Sequence, residues 1–152
     1  MKKISLLLML IISIQGCGFT PIYISNDNVN FKIESVTFEG DQELNNYINI
    51  GLKKYISKDS NNLNYKISSM SKYSKQAQSK DAKGNTQSFK VESSVTFEVT
   101  GNNQTFDLTY SEQSDLNNSD DTFELRSYES SIKQNFASSI VEKLILDLSN
   151  RQ

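Results

Sequence analysis

The sequence predicts an α+β two-layer sandwich: two helices packed on one face of a four-stranded, mostly antiparallel or mixed sheet, in the order β-α-β-β-β-α. Three observations carry this. Four segments alternate apolar and polar residues, as strands with one buried face do. Two others space their apolar residues three and four apart, as amphipathic helices do. Turn or cap residues separate the segments, and two helices on one sheet face bury every apolar stripe.

The first strand begins at Val29 and runs through Phe31 and Ile33. Its alternation resumes at Val36 and Phe38 after a one-residue change of phase, which implies a bulge near Glu34-Ser35. Gly40-Asp41 then opens a helix whose Leu44, Tyr47, Ile48, Leu52, Tyr55 and Ile56 share one face. Asp41 is its expected N-cap, with Glu43 in the first turn and Lys53, Lys54 and Lys58 near the end, an order that complements the helix dipole. Asp59-Ser60-Asn61-Asn62 ends it.

Leu63, Tyr65 and Ile67 mark the second strand. A polar turn from Gln76 to Gln87 leads to the third, marked by Phe89, Val91, Val95, Phe97 and Val99. Gly101-Asn102-Asn103 is a hairpin signal, and Phe106, Leu108 and Tyr110 mark the fourth strand. After the polar loop Asn117 to Asp121, the run Asp121-Thr122-Phe123-Glu124 resembles a capping box. A long helix follows to about Asn150. Its stripe is Leu125, Tyr128, Ile132, Phe136, Ile140, Leu144 and Leu148, widened near the end by Val141, Ile145 and Leu146. No internal repeat is visible.

Residues 1–16 read as an export signal. Met1-Lys2-Lys3 is basic, and Ile4 to Ile14 is an apolar or small run of eleven residues. That is too short for a membrane anchor, which needs roughly 20, but it is the length of a signal's apolar region. Ile14-Gln15-Gly16-Cys17 resembles the lipobox of bacterial lipoproteins, in which the cysteine is lipidated and the chain is cut just before it. The alternative is an ordinary secretory signal followed by a stray cysteine. Cys17 is the only cysteine, so no intramolecular disulfide is possible, and a lone thiol in an oxidising compartment would be a liability that lipidation removes. The expected organisation is thus a signal peptide over 1–16, a lipidated tether over 17–28 holding the only proline, Pro21, and a single domain over 29–152.

Composition narrows the chemistry. With no His, Ser-His-Asp and Cys-His catalysis are excluded, together with most zinc sites. The six glycines are scattered, so no phosphate-cradling loop is present. Asp120-Asp121 is the nearest approach to a general acid–base pair, and a cap is the simpler role for it. The expectation is no enzyme, no metal and no cofactor. Heavy use of Asn and Ser lowers mean hydropathy, but the periodic apolar segments argue against disorder.

The remaining features are electrostatic. Removal of Lys2 and Lys3 takes the 16 basic residues to 14 against 18 acids, moving the net charge from −2 to −4. Lys72, Lys75, Lys80, Lys83 and Lys90 fall within nineteen residues that hold one acid, Asp81. From Val91 to Leu125 there are eight acids and no base: Glu92, Glu98, Asp107, Glu112, Asp115, Asp120, Asp121 and Glu124. Either the lysines merely guard strand edges in water, or they form a cationic hairpin tip that meets a polyanion. An exported chain does not meet nucleic acid; envelope anions are lipid phosphates, lipopolysaccharide and acidic protein surfaces.

Cys17-Gly18-Phe19-Thr20-Pro21-Ile22-Tyr23 resembles the mature start of LptE, the lipopolysaccharide-assembly lipoprotein family, alphaproteobacterial members above all. Beyond these seven residues the similarity is one of layout. The resemblance implies a non-enzymatic outer-membrane lipoprotein on the periplasmic face. It would act as plug and folding partner of the LptD β-barrel, bind lipopolysaccharide and help deliver it to the cell surface. Gly18 rather than Asp after the cysteine agrees with outer-membrane sorting. Lys72, Lys75, Lys80, Lys83 and Lys90 become candidate lipopolysaccharide contacts on their charge alone. The alternating Ser93, Ser94, Thr96, Thr105 and Thr109 would offer a polar face to a barrel lumen. The competing function is another envelope lipoprotein acting as a binding module, such as a secretion pilotin or a transporter's auxiliary subunit.

Overall fold

Why β1 and β2 run parallel follows from what joins them, since a helix and not a tight turn connects the two strands. The computed structural model describes residues 31–56 and 63–151. The expected signal peptide 1–16, the tether 17–28 with Cys17, and the helix-ending run 59–62 lie outside the described residues. The elements are β1 (Phe31–Gly40), α1 (Gln42–Leu52) with a closing 3₁₀ turn at Lys53–Tyr55, β2 (Leu63–Lys80), β3 (Thr86–Gly101), β4 (Gln104–Asn117) and α2 (Thr122–Ser149). The sheet order is β1-β2-β3-β4, parallel between β1 and β2 and antiparallel elsewhere. This is the expected α+β sandwich, in its mixed-sheet form.

Alternation decides which face is covered. Val91, Val95, Phe97 and Val99 of β3 and Tyr65 and Ile67 of β2 point to the helices, where they meet Leu44, Ile48 and Leu52 of α1 and Ile132, Phe136, Ile140, Leu144 and Leu148 of α2. In β1 the register slips between Ile33 and Ser35, where the apolar phase changes. The extra residue brings Val36 and Phe38 back to the side of Phe31 and Ile33. Asn102 and Asn103 at the β3–β4 turn have φ of 50° and 60°, the left-handed pair that a two-residue hairpin requires and that Asn tolerates.

Both helix starts are capped as expected. Leu44 N–H donates to Asp41 Oδ1 at 2.8 Å. Asp121 Oδ1 accepts from the N–H groups of Phe123 and Glu124. The capping box expected at the start of α2 closes through an intermediary. Asp121 N–H donates to Ser119 Oγ, whose hydroxyl donates to Glu124 Oε2 at 2.7 Å, so Glu124 does not reach the cap N–H itself.

Four expectations are corrected. α1 is shorter than its apolar spacing implies, ending at Leu52 in a 3₁₀ turn that buries Tyr55 and leaves Ile56 exposed. The α2 stripe is wrong at two positions, since Tyr128 is 52 % exposed and Leu146 also faces out, while Val141 and Ile145 are buried as expected and Ala137 joins them. Ser93 lies on the helix side of β3 and is buried, so it cannot belong to an outward polar face. The largest correction is β2. It runs to Lys80, and the turn shrinks to Asp81–Asn85, because residues without apolar alternation are still held by pairing with β3, regular to Ala77 and shifted in register at Ser79 and Lys80.

Candidate functional site

The extension of β2 builds the candidate site. β1 stops at Gly40, opposite Ser71, while β2 continues for nine more residues, Lys72 to Lys80. The stop is local and steric. Gly40 has φ of 99°, and a Cβ there would sit 1.8 Å from the Ser71 carbonyl oxygen, so only glycine can turn the chain from β1 into α1 at this point. Ser71 Oγ donates to the Glu39 and Asp41 carbonyls on either side of the bend.

The far end of the hairpin is closed by the backbone bonds Asp81 N–H to Asn85 carbonyl and Gly84 N–H to Asp81 carbonyl, and by one side chain. Asp81 Oδ1 accepts from the N–H groups of Lys83 and Asn85, and Oδ2 accepts from Asn85 Nδ2 at 2.9 Å. Those bonds, led by Asn85, hold the Asp81 carboxyl below its ordinary pKa. Gly84 supplies the positive φ. Asn118, just after β4, ties this end to the sheet: its N–H donates to the Gln87 carbonyl and its Nδ2 to the Thr86 carbonyl.

The five candidate lysines do not form one tip. Lys72, Lys75 and Lys80 lie along β2, Lys83 in the turn and Lys90 on β3. Lys75 points to the helix side, where its ammonium meets Glu129 Oε2 at 2.7 Å and lies 4.5 Å from the Phe89 ring centroid. Lys90 pairs with Glu92 on the same strand. Among the described residues, the ammonium groups of Lys72, Lys80 and Lys83 have no carboxylate partner. Sequence spacing could not separate these groups, because the division depends on which sheet face each lysine takes.

The helix-free face is polar from end to end. Register places Lys66, Thr100 and Thr105 in one row across β2, β3 and β4. Ser68, Glu98 and Asp107 form the next, then Met70, Thr96 and Thr109, followed by Lys72, Ser94 and Ser111. Thr96 and Thr109 share a 3.0 Å hydroxyl bond, as do Thr100 and Thr105, and Ser111 donates to Ser94. Half-exposed Met70 is the large apolar side chain on this face. A recess of about 860 Å³ opens here, lined by Gly40, Asp41, Lys72, Ser74, Glu92 and Gln113 among others, and no helix residue contributes to it.

The acidic run is likewise divided. Glu98 and Asp107 face each other across β3 and β4 on the open side. Glu112 turns toward α2, where Lys143 and Ser139 each donate to its Oε1 at 2.6 Å. Partial burial pushes the Glu112 pKa up, but these two donors outweigh it and the carboxyl titrates below its usual value. Asp121 is a cap. Among the described residues no group of carboxylates is arranged to hold a metal ion, and no helix is long and apolar enough to cross a membrane.

Sequence reasoning missed Lys133. It occupies a buried helix position, with its ammonium 3.2 Å from Asp41 Oδ2, 3.1 Å from Glu43 Oε2 and 4.3 Å above the Tyr73 ring. A lysine beside Ile132 in an apolar stripe was the available signal.

No protein-family model matches the chain, and no curated protein matches it. Solved structures do. Rare lipoprotein B from Shewanella oneidensis superposes with a TM-score of 0.55 at 13 % identity, covering 76 % of this chain and 97 % of that one. A Caulobacter crescentus CB15 chain bearing the name putative lipoprotein gives 0.51 at 18 % identity, covering 78 % and 88 %. Uncharacterized lipoprotein B from Nitrosomonas europaea gives 0.50 at 11 % identity, covering 88 % and 91 %. At such identities the likeness is one of fold, and the fold is that of these lipoproteins.

Proposed function

We propose that this chain is an outer-membrane lipoprotein, anchored through Cys17 at the periplasmic face. It would assist lipopolysaccharide transport and assembly as plug and folding partner of an LptD-like β-barrel. The observation that carries the reading is the fold shared with rare lipoprotein B over 97 % of that chain, in a sequence that sets Cys17-Gly18-Phe19-Thr20-Pro21-Ile22-Tyr23 ahead of the folded domain. Several acyl chains on Cys17, at about 0.8 kcal/mol per buried CH₂, suffice for durable anchoring where one does not.

Geometry supports the plug. A barrel lumen is polar, and the helix-free face presents hydroxyls and charges to match it. Binding and not catalysis is the expected activity. Within that reading, Lys72, Lys80 and Lys83 are the lysines open to lipopolysaccharide phosphates, and Lys75 and Lys90 are drawn off by Glu129 and Glu92. Purification of the tagged protein from native membranes tests the proposal: an outer-membrane barrel should accompany it, and depletion should lower surface lipopolysaccharide. Recovery without any barrel would refute the plug role.

A further inference from the structure

β2 has a bare edge. From Leu63 to Ser71 its outer side pairs with β1, but from Lys72 to Lys80 no strand among the described residues pairs with that side, and its register with β3 is regular to Ala77 and shifts at Ser79 and Lys80. Folded proteins cover or disable such edges, because a bare edge accepts any extended chain. Here the exposure is built in, since Gly40 alone permits β1 to leave at that point and Asp41 caps the helix that carries the chain away.

We infer that the Lys72–Lys80 edge is a docking edge for an extended acidic peptide segment of a partner protein, which pairs with β2 in line with β1 beyond Gly40. Main-chain bonds supply the affinity, and side chains select the sequence, as in other strand additions. The charge of the edge selects an acidic occupant. Between Lys72 and Lys80 there is no carboxylate, and the ammonium groups of Lys72 and Lys80 have no ion-pair partner among the described residues. A basic strand would place lysine beside lysine, an arrangement that is unfavourable across neighbouring strands. Lysines placed only to repel all strands would give the same composition, so the test must ask for backbone pairing as well as charge.

The full chain, purified in detergent, is titrated with three blocked ten-residue peptides: alternating Glu and Thr, alternating Lys and Thr, and the Glu–Thr peptide N-methylated at every second amide. The Glu–Thr peptide should bind at least tenfold more tightly than either control. It should slow hydrogen exchange at outward amides between Lys72 and Lys80, and K72S/K80S should weaken it by tenfold or more with the melting temperature unchanged. Equal affinity for the N-methylated peptide would reduce the edge to a charge patch and overturn the inference. So would an absence of binding, or protection confined to β4. Sedimentation without peptide gives the last outcome: dimers broken by K72S/K80S would make a second copy, through its acidic β4 edge, the occupant instead.

Discussion

Lys133 Nζ lies 3.2 Å from Asp41 Oδ2, so the carboxylate that caps α1 also holds α2. The ammonium also touches Glu43, and Glu43 Oε1 accepts from the hydroxyl of Ser130, which is bonded in turn to Tyr47. Burial of Lys133 works against its charge, but the bonds its ammonium donates to Glu43 and Asp41 overcome that and raise its pKa. The lysine side chain is only 9 % exposed, so the pair is screened little by salt on its cationic side.

Asp41 substitutions should separate its two roles. Asp41→Asn keeps a capping oxygen and loses the ion pair, whereas Asp41→Ala loses both. Loss of a cap costs about 0.5–2 kcal/mol, and a hydrogen bond to a charged group is worth about 1.5–3 kcal/mol. Urea unfolding should rank stability as wild type, then Asn, then Ala. In a cycle with Lys133→Met, the coupling should fall in the range of about 0.5–3 kcal/mol expected of contacting residues. An Asn variant as stable as wild type would mean that Lys133 gains nothing from Asp41, and equal losses for Asn and Ala would mean that the cap adds nothing beyond the ion pair.

Gly40→Ala should be among the most damaging small substitutions in the chain. Its φ of 99° and the 1.8 Å approach of a Cβ to the Ser71 carbonyl leave no flexible atom to move aside. Strain in such backbone regions costs about 1–3 kcal/mol before the clash is counted. A thermal melt unchanged by Gly40→Ala would show that the bend between β1 and α1 relaxes freely, and the bare edge of β2 would lose its structural cause.

These two sites show what the sequence could and could not reveal. Asp41 was legible as a cap because capping depends on neighbours three residues away. Its bond to Lys133 spans 92 residues, and no local pattern encodes it. The strand-period residues of β3 and the phase change in β1 were equally legible, since alternation reports burial directly. Ser68 to Lys80 carried no such signal. Ser69 and Ser71 are buried on the helix side yet polar, so the strand is imposed by its partner β3 and not announced by its own residues. The lysines were visible as a group, but their division awaited the register.

Acid and alkali should both weaken the fold, through different groups. Glu112 titrates below its ordinary 4.5 when folded, so its stabilising effect is present above that value and is lost as the pH falls through the lowered one. Lys133 titrates above its ordinary 10.5 when folded, so its effect is present below that value and is lost as the pH rises through the raised one. Urea midpoints should form a plateau at neutral pH with a decline at each end. Glu112→Gln should flatten the acidic limb and leave the alkaline limb alone. A limb unaltered by that substitution would assign the acid response to other carboxylates.

Glu98 and Asp107 make the opposite kind of pair. They are direct register partners on the helix-free face, both exposed, and like charges so placed repel. Glu98→Lys should therefore stabilise the domain, by about 0.2–1 kcal/mol for an opposite-charge cross-strand pair. The gain should shrink in high salt, because exposed charges are screened beyond about 8 Å at physiological ionic strength. A destabilised variant at low salt would show that the two carboxylates do not meet as the register requires. If this face also seats against a partner, the more stable Glu98→Lys protein should recover less of that partner from native membranes. Greater stability with poorer recovery would identify the repulsion as serving binding; undiminished recovery would leave the acidic pair without a role in docking.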